Sequence, residues 1–553
     1  MTSLAARLAR PEILALSPIG SVAGGSDDYA GDVIRLHLNE NCYSPLVQSP
    51  EALSANRYAE PRAPALRRAM ARLYCVNEDN LLVTRGADDA IDILIRTFCR
   101  SGKDAIATCE PTFGAYRLFA KIQGARITAS ELGANFAFEP ADFIKTIRRD
   151  RGVKLAFLCS PNNPTGNPLQ PVDVLKVADA LVDTILVLDE AYIEFSDIES
   201  LATEASRRDN LVVLRTLSKA YGLAGARVGC AIANAELIDI IARALPPFPL
   251  SAPSIAVALS TLSPSRRLIH AERIARIRNE RDLMAEQLQR SPQVSCVWPS
   301  ETNFLLIEVK DAVRVEQELR RRAIRVRWRR DIGEGIVRLS VGSSEENVLA
   351  LAAFGLTSDA PAVRRSDVVR DTAETRIAVA IDLDRASPRR IRSGLPFFDH
   401  MLDQVASHGG FSLLLACEGD LEIDAHHSLE DCALTFGQAL SEALGDRRGI
   451  GRFGFALPMD EAEAHVLIDL SGRPYARFEG EFAATHIGEY PTEMTPHIFR
   501  SLAQALGAAI HVRVNGENDH HKTEACFKAF GRALRHAIAR EGDDLPSTKG
   551  VLA

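Results

Sequence analysis

The stretch Lys154-Leu-Ala-Phe-Leu-Cys-Ser-Pro-Asn-Asn-Pro-Thr-Gly166 joins a short apolar run to a polar turn. The same arrangement recurs twice: Thr184–Leu188 precedes Asp189-Glu-Ala-Tyr192, and Leu211–Leu214 precedes Thr216-Leu-Ser-Lys219. Apolar runs of this length that end in polar residues are typical of buried parallel strands. Because ligands bind at the carboxyl ends of such strands, the three polar segments are expected to meet at one edge of a sheet.

The segments on either side extend this alternation of strands and helices. Leu81-Leu-Val83 is predicted to form another strand, and the helix predicted after it carries apolar residues at helical spacing between Ile91 and Phe98. A second α+β stretch occupies about residues 265–355. The predicted fold is therefore α/β, with a large domain built on a mainly parallel sheet and a small α+β subdomain.

Length and composition limit the functional classes. A chain of 553 residues is too long for one ordinary core, and its formal net charge of −8 argues against general nucleic-acid binding. The ten cysteines form no Cys-x-x-Cys pair, which indicates free thiols in a reducing compartment. No apolar run approaches the roughly 20 residues that a membrane span needs. We expect a cytoplasmic protein that binds neither nucleic acid nor membrane.

The histidines reveal a second module. His37 and His270 precede residue 360, and the other eleven histidines follow it. A polar, proline-containing stretch, Thr357–Arg370, separates the two regions and is predicted to be a linker. The predicted domains are therefore residues 1–356 and 371–553, joined by residues 357–370.

The second module is self-similar. His400 precedes His426-His427-Ser-Leu-Glu430 by 26 residues, and His497 precedes His520-His521-Lys-Thr-Glu524 by 23 residues. Each His-His-x-x-Glu motif opens a predicted helix and is preceded by strand-like alternation. An internal duplication of a βαβα-type unit explains this pattern, so an α+β domain is expected.

The duplicated motifs predict a site for two metal ions. In His-His-x-x-Glu the first histidine and the glutamate lie one helical turn apart on one face, while the second histidine lies on a neighbouring face. A lone histidine pair is more often structural, but the repetition favours a metal site, and imidazole with carboxylate suits Mn, Fe, Ni or Zn. The eight predicted ligands, four for each ion, are His400, His426, His427, Glu430, His497, His520, His521 and Glu524.

The polar segments of the first module fit the chemistry of a pyridoxal cofactor, which needs a lysine, a carboxylate at the pyridine nitrogen and donors for its phosphate. Residues about 30–355 resemble a fold-type-I aminotransferase, and within that class histidinol-phosphate aminotransferase. The resemblance is carried by Asn39–Pro45, Arg85–Asp89, Cys159–Gly166, Asp189–Phe195 and Arg215–Ala220.

This resemblance implies a role for each matching residue. Lys219 is the Schiff-base and proton-transfer lysine, Asp189 pairs with the pyridinium, and Asn163 and Tyr192 contact the ring oxygen. Arg338 binds the substrate carboxylate. The other implied residues are Ala87, Asp88, Thr216, Ser218 and Arg227 at the pyridoxal 5'-phosphate group, Tyr58 from a second subunit, Phe113 against the ring, and Arg330 at the substrate phosphate.

Several positions depart from the family pattern. Phe113 stands where a tyrosine usually stacks on the ring, so it retains the stacking surface and lacks the hydroxyl. Cys42 and Ser44 replace the usual Pro and Gly, and Ile19 replaces a tyrosine associated with the substrate phosphate. These changes bear on substrate binding more than on the cofactor.

Residues about 365–553 resemble imidazoleglycerol-phosphate dehydratase, through Gly394–Asp403, Asp424–Asp431, Leu470–Pro474, Gly516–His521 and Pro546–Gly550. The resemblance implies two Mn(II) ions per site and a large symmetric homo-oligomer in which neighbouring subunits supply ligands. Glu374 is the implied acid/base carboxylate. The residues implied to bind the substrate phosphate are Arg452, Arg473, Ser547 and Lys549. One departure is Pro496, which precedes His497 where the family usually has Glu.

The two resemblances predict consecutive steps of histidine biosynthesis. The dehydratase removes water from imidazoleglycerol phosphate after a proton is taken from a carbon beside the ring, with metals stabilising the anionic state. Its product, imidazole-acetol phosphate, is the keto substrate of histidinol-phosphate aminotransferase, a dimeric enzyme that uses glutamate. The alternatives are an aromatic aminotransferase or a threonine-phosphate decarboxylase for the first module, and a metal-binding assembly scaffold for the second.

Overall fold

The computed structural model describes residues 34–43, 59, 61–356, 363–454, 457–542 and 544–546, with the backbone alone at 457–459. The chain divides into two compact units. The first contains the described residues up to Leu262 and from Arg273 to Leu356, and the second contains Ser263–Glu272 and the described residues from Val363 onward. Among the described helices, none combines the length and the apolar character that crossing a membrane requires.

The first unit alternates strands with helices. Its strands are β1 (Ile34–Leu36), β2 (Leu81–Thr84), β3 (Ala105–Glu110), β4 (Arg126–Glu131), β5 (Val153–Cys159), β6 (Ile185–Asp189), β7 (Leu211–Thr216), β8 (Gly229–Ile232), β9 (Val294–Val297), β10 (Phe304–Val309), β11 (Ile324–Trp328) and β12 (Ile336–Ser340). Its helices are α1 (Pro64–Leu73), α2 (Ala87–Phe98), α3 (Ala115–Gln123), α4 (Pro140–Arg148), α5 (Pro171–Ala180), α6 (Ala202–Ala205), α7 (Ala235–Ala242), α8 (Ala252–Thr261), α9 (Pro264–Gln289, which begins in the residues assigned to the second unit), α10 (Ala312–Arg321) and α11 (Ser344–Ala353).

Seven strands form the large sheet, in the order β2-β8-β7-β6-β5-β3-β4. All neighbouring pairs are parallel except the two that involve β8. The central strands β5, β6 and β7 are almost wholly buried, as strands covered on both faces must be, and they include the three apolar runs recognised in the sequence. The predicted α/β class and mainly parallel sheet are confirmed.

The smaller sheet of this unit has the order β1-β11-β12-β10-β9. Its core includes buried Leu36, Phe304 and Leu339, together with Phe354 just after α11. Strand β1 pairs with β11, so the segment that follows β1 runs beside residues from the far end of the unit. This pairing brings His37 and Asn39 to the same edge as Arg338 on β12.

The second unit contains β13 (Arg365–Asp371), β14 (Thr375–Asp382), β15 (Arg389–Arg392), β16 (Ser412–Gly419), β17 (Phe453–Gly454), β18 (Leu457–Met459), β19 (Ala462–Asp469), β20 (Tyr475–Glu479), β21 (His486–Ile487), β22 (Tyr490–Pro491) and β23 (Ala509–Asn515). Its helices are α12 (Pro396–Gly409), α13 (His426–Leu444), α14 (Met494–Leu506) and α15 (Asp519–Ala537).

The unit is built from two halves with the same topology. The first sheet has the order β13-β14-β16-β15 and the second has the order β17-β19-β23-β20. In each, the last two strands are parallel and the others antiparallel. Helices of opposite halves pack together, α12 against α15 and α13 against α14, over one shared core. The duplication predicted from the sequence is thus a property of the fold.

Each half contains the predicted βαβα run, β15-α12-β16-α13 in the first half, and antiparallel strands precede it. One detail of the prediction needs correction: the predicted linker extends too far, because β13 begins at Arg365 and pairs with β14 along its length. The segment from Arg365 to Arg370 was predicted to be part of a linker because it is mostly polar. It belongs to a strand in which Ser366 and Val368 are buried and the other residues are only partly buried. Residues 357–362 of the predicted linker lie outside the described residues.

Two candidate active sites

The first candidate site lies at the carboxyl ends of β5, β6 and β7. Asn163 follows β5, Asp189 is the last residue of β6, and Lys219 comes three residues after β7. Asp189 is buried beside Cys159, which pairs with it across the sheet. The structure therefore brings together the three polar segments that the sequence assigned to one sheet edge.

Lys219 has an unusual environment. Its amine donates a hydrogen bond to the Leu38 carbonyl oxygen at 3.0 Å. Burial of the amine, together with the positive charge of Arg338, lowers the pKa of Lys219 to about 8. Since a neutral amine is the nucleophile that attacks an aldehyde, this environment favours covalent capture of a carbonyl compound near neutral pH.

Arg338 is held beside Lys219 by contacts on two sides. Its Nη1 donates to Asn163 Oδ1 at 2.6 Å, and its Nη2 donates to the His37 carbonyl oxygen at 2.7 Å. Burial lowers the pKa of Arg338 to about 10, although Tyr192 opposes the shift. The guanidinium is consequently fixed in position, as recognition of a carboxylate requires.

Asn39 is a residue that the sequence reasoning did not assign a role. Its side chain donates to Tyr192 Oη at 3.0 Å and accepts from Ser340 Oγ at 3.0 Å. It is buried with φ of 53°, a left-handed conformation that asparagine tolerates better than most residues. The positive φ could not be read from the sequence, but the position within the Asn39–Pro45 motif was a signal.

The residues predicted for the cofactor phosphate lie near the start of α2. Ala87 and Asp88 open this helix, whose amide groups and dipole favour an anion. Arg227 Nη2 lies 3.0 Å from Asp88 Oδ2, and the Thr216 hydroxyl donates to Ser218 Oγ at 2.9 Å. Gly86 has φ of 82°, and a Cβ there would lie 2.9 Å from Arg227 Nη2, so glycine permits this close approach.

The substrate-phosphate prediction for Arg330 is not supported by its placement. Arg330 is exposed and its Nη2 pairs with Glu316 Oε2 on α10 at 2.9 Å. Arg327, to which the sequence analysis gave no role, is the register partner of Arg338 on the neighbouring strand. The alternation of apolar and basic residues along β11 could have indicated that Arg327 lies on the opposite face from Val326 and Trp328.

Phe113 precedes α3 and packs edge-on against Tyr116, with ring centroids 5.6 Å apart. Cys42 is half-buried in the segment after β1. Tyr58, Ile19 and Ser44 lie outside the described residues.

The second candidate site begins with a cluster on α13 and α14. His426 and Glu430 lie one turn apart on α13, with 3.6 Å between Nε2 and Oε2. His497 on α14 places its Nε2 3.3 Å from Glu430 Oε1 and forms no hydrogen bond through that nitrogen to a described residue. The donor atoms of all three side chains lie within 4.8 Å of one another, as ligands of one metal ion would.

The other half of the unit brings two histidines to one glutamate on α12 and α15, although these three donor atoms do not all lie within 4.8 Å of one another. Glu524 lies 3.5 Å from His400 Nε2 and 3.4 Å from His520 Nε2. Lys528 Nζ also contacts Glu524 at 2.8 Å. Although burial opposes the shift, the bond from Lys528 and the nearby positive charges lower the pKa of Glu524. The Glu524 carboxylate is thus shared between two histidines and a lysine.

The second histidine of each motif points to a different group of carboxylates. His427 Nδ1 lies 3.2 Å from Asp420 Oδ2 and 3.7 Å from Glu374 Oε2. In the same way, His521 Nδ1 lies 2.8 Å from Glu461 Oε2. These hydrogen bonds raise the pKa of both histidines. The eight predicted ligands therefore separate within the chain into two clusters of three, with His427 and His521 outside them.

The residues predicted for the second substrate phosphate are only partly described. Arg452 has its Nε 2.7 Å from Asp469 Oδ1, and its Nη1 donates to the Pro546 carbonyl oxygen at 2.8 Å. Arg473 lies in the turn before β20. Ser547 and Lys549 lie outside the described residues. Pro496 occupies the first turn of α14, where its missing N–H removes no helical hydrogen bond.

Comparison with known proteins finds a matching family for each of the two regions of the chain. The family model of class I and II aminotransferases matches residues 32–354, and that of imidazoleglycerol-phosphate dehydratase matches residues 393–534. A curated relative, the histidine biosynthesis bifunctional protein HisB of Stenotrophomonas maltophilia, is 60% identical over 195 residues, which are 35% of this chain and 54% of that protein. The chain thus spans about half the length of the curated relatives it matches.

Solved structures resemble the aminotransferase part in fold. Histidinol-phosphate aminotransferase from Sinorhizobium meliloti, solved with pyridoxal-5'-phosphate, aligns with a TM-score of 0.55 and 23% identity over 63% of this chain and 96% of that one. A mutant aspartate aminotransferase from Thermus thermophilus aligns with a TM-score of 0.52 and 24% identity over 63% and 99% of the two chains. Residues 393–534 are thus similar to imidazoleglycerol-phosphate dehydratase. The aminotransferase model alone spans more than half of the sequence, and the chain belongs to the class I and II aminotransferase family.

Proposed function

We propose that this chain is a bifunctional enzyme that converts imidazoleglycerol phosphate to imidazole-acetol phosphate and then to histidinol phosphate. The observation that carries the proposal is that one chain combines a site of half-buried Lys219, buried Asp189 and buried Arg338 with duplicated histidine–glutamate clusters. The two matched families supply the reaction types, a transamination and a dehydration. The product of the proposed dehydration is a ketone, which is the kind of substrate that a transaminase requires.

Pyridoxal 5'-phosphate fits the first site, because a low-pKa lysine, a buried carboxylate and a helix start occur at one sheet edge. When bound, the cofactor would act as an electron sink for the transfer of the amino group. Lys219 would hold it and move protons, while Asp189 would face the pyridine nitrogen and Asn163 with Tyr192 the ring oxygen. Ala87, Asp88, Thr216, Ser218 and Arg227 would surround its phosphate. Phe113 would stack on the ring.

The substrates of this site are anionic. Arg338 would bind the carboxylate of glutamate, because its guanidinium is already fixed by Asn163 and the His37 carbonyl group. Arg327, beside Arg338 in the sheet, is better placed than Arg330 for the phosphate of imidazole-acetol phosphate. Two neighbouring arginines would then distinguish glutamate from the phosphorylated substrate in the same cleft.

Divalent metal ions, Mn(II) in our proposal, fit the second site because each half brings two imidazoles to one carboxylate. In the first half the three donor atoms lie within 4.8 Å of one another, and His497 has a buried nitrogen without a hydrogen bond to a described residue. When bound, the ions would stabilise negative charge on the substrate's imidazole ring. Glu374 would transfer a proton, and Arg452, Arg473, Ser547 and Lys549 would bind the phosphate.

Each cluster supplies three ligands, so an ion there lacks the fourth that the sequence led us to expect. His427 and His521 lie outside both clusters and contact carboxylates on the surface of the unit. We infer that they complete the metal sites of neighbouring subunits, which makes the dehydratase region part of a homo-oligomer. The aminotransferase region would form a dimer in which Tyr58 reaches the partner's cofactor.

The proposal is tested with the purified protein, imidazoleglycerol phosphate, glutamate, Mn(II) and pyridoxal phosphate. Histidinol phosphate should accumulate. If imidazole-acetol phosphate accumulated instead, the aminotransferase assignment would be wrong and another pyridoxal-phosphate activity would be favoured. If the substrate were recovered unchanged while metal remained bound, the scaffold alternative for the second region would be favoured.

A further inference from the structure

Tyr116 on α3 is a fully buried residue to which neither the sequence motifs nor the proposed reaction assigns a role. Its hydroxyl group donates a hydrogen bond to Asp189 Oδ2 at 2.8 Å. The other oxygen, Oδ1, accepts from the Ala191 amide at 3.1 Å. Asp189 is thereby held on both sides, and the bond from Tyr116 fixes the rotation of the carboxylate plane.

The phenol ring of Tyr116 is itself held in place. It stacks on Phe157, with ring centroids 4.8 Å apart and an interplanar angle of 16°. It also contacts Phe113 edge-on, at 5.6 Å and 87°. Tyr116 therefore touches both the residue expected to stack on the cofactor ring and the carboxylate expected to face its nitrogen. Through these two contacts, Tyr116 fixes the position of Asp189 relative to Phe113.

The pKa shifts of Asp189 and Tyr116 are consistent with this geometry. Burial raises the pKa of Asp189 to about 6, and the hydrogen bonds from Tyr116 and from the Ala191 amide oppose that rise. Burial and the neighbouring carboxylate raise the pKa of Tyr116 well above its ordinary value, so the phenol remains a donor. A protonated Asp189 could no longer stabilise a pyridinium. Removal of the Tyr116 hydroxyl would raise the pKa of Asp189 and so favour its protonated form.

We propose that Tyr116 is a positioning residue, whose phenol holds the Asp189 carboxylate in the orientation in which it pairs with the pyridine nitrogen of the cofactor. This inference rests on the proposed aminotransferase function.

The test uses the full-length protein with pyridoxal phosphate labelled with ¹⁵N at the ring nitrogen. Tyr116→Phe removes only the hydroxyl group. The matched control is Tyr74→Phe, because Tyr74 is also buried in the same unit and its hydroxyl forms no hydrogen bond to a described residue. The ¹⁵N chemical shift reports protonation of the ring nitrogen, and kcat and KM for glutamate are measured in parallel.

In Tyr116→Phe the ring nitrogen should lose its proton at a pH at least about one unit lower than in the parent and in Tyr74→Phe. The kcat should fall about tenfold or more, the scale of a hydrogen bond to a charged group, with KM for glutamate changed less than about twofold. Replacement of Tyr116 by 4-aminophenylalanine, which restores an N–H donor on the same ring, should recover most of both losses. This second replacement keeps the test decisive if Tyr116→Phe retains its cofactor poorly.

Three outcomes would overturn the inference, and the third is distinguishable from the first two. If the parent binds the cofactor but Tyr116→Phe matches Tyr74→Phe in ¹⁵N shift and kcat, Tyr116 has only a packing role. A 4-aminophenylalanine variant as impaired as Tyr116→Phe leads to the same conclusion. If the parent itself binds no cofactor, the proposed aminotransferase function fails and this inference fails with it.

Discussion

The two candidate sites differ in how the chain brings their residues together. The lysine site collects residues from both sheets of one unit, from His37 after β1 to Arg338 in the middle of β12. The metal clusters are each made by two packed helices, and the fold makes the arrangement twice. A site of this kind is largely completed when the two sheets of the unit pack together. A site on the faces of two packed helices offers fewer positions for ligands, and each cluster here has three candidate ligands.

This difference has a consequence for assembly. In the lysine site, most predicted groups already contact one another through bonds such as Arg338 to Asn163. In the metal region, His427 and His521 are directed at Asp420 and Glu461 and not at the clusters. Apart from the contribution proposed for Tyr58 from a second subunit, the first site should consequently depend on local geometry, whereas the second should depend on the presence of other copies of the chain.

The largest expected effect is a separation of the two activities. Lys219→Ala should reduce transamination at least about a thousandfold, because both covalent attachment and proton transfer are lost, and should leave dehydration unchanged. The measurement is of histidinol phosphate and imidazole-acetol phosphate from one protein sample. Lys176→Ala, at an exposed position on α5, is the control. A loss of dehydration in Lys219→Ala would show that the two sites are not independent.

The environment of Lys219 predicts a pH dependence. Because its pKa is lowered from 10.5 to about 8, the neutral amine of the cofactor-free protein should appear around pH 8, and its reactivity should decline as the pH falls below that value. Reductive methylation at Lys219, followed by peptide mass spectrometry across pH 6–11, measures the midpoint. Arg338→Met removes a positive charge and should move the midpoint upward. A midpoint near that of free lysine in the parent would contradict the burial argument.

Loss of the carboxylate from either cluster should remove one of the two metal ions from the chain. Glu430→Gln and Glu524→Gln should each lower the bound metal from two ions per chain to one, because each removes the carboxylate that both histidines of its cluster approach. Dehydration should fall about a hundredfold or more in both, since the substrate ring needs both ions. Metal content by elemental analysis and dehydration rate check this.

Glu463→Gln, an exposed change on β19, is the matched control for the metal experiment. If Glu430→Gln and Glu524→Gln differed strongly, so that only one released metal, the equivalence of the two halves would hold for the fold but not for the site. Treatment with a chelator should reproduce the loss of dehydration without affecting transamination.

The sequence predicted those parts of the molecule that local pattern controls. Asp189 and Lys219 could be placed because each follows an apolar run that can only be a buried strand. The repeated histidine motifs likewise predicted the matched helices α13 and α15. In both cases, the predicted site residues lie next to a strand or helix that its hydrophobic pattern identifies.

What could not be predicted depends on long-range packing. Nothing in the spacing of His400 and His497 says that α12 packs on α15 and α14 on α13, so the division into two clusters was not foreseen. The roles of Asn39 and Tyr116 arise from contacts across the unit, to Ser340 and Asp189. The polar strand β13 was mistaken for linker because a strand with few apolar residues gives only a weak periodic signal.

The smallest expected effect separates two arginines that the sequence could not rank. Arg327→Ala should raise KM for imidazole-acetol phosphate about 10- to 100-fold, the scale of a charged contact to phosphate, and leave KM for glutamate within about threefold. Arg330→Ala should change either value less than about twofold, because its exposed ion pair with Glu316 contributes little. Steady-state kinetics with each substrate varied separately makes the comparison. A larger effect of Arg330→Ala would mean that this side chain leaves Glu316 for the substrate, and that the register position of Arg327 beside Arg338 does not decide the specificity.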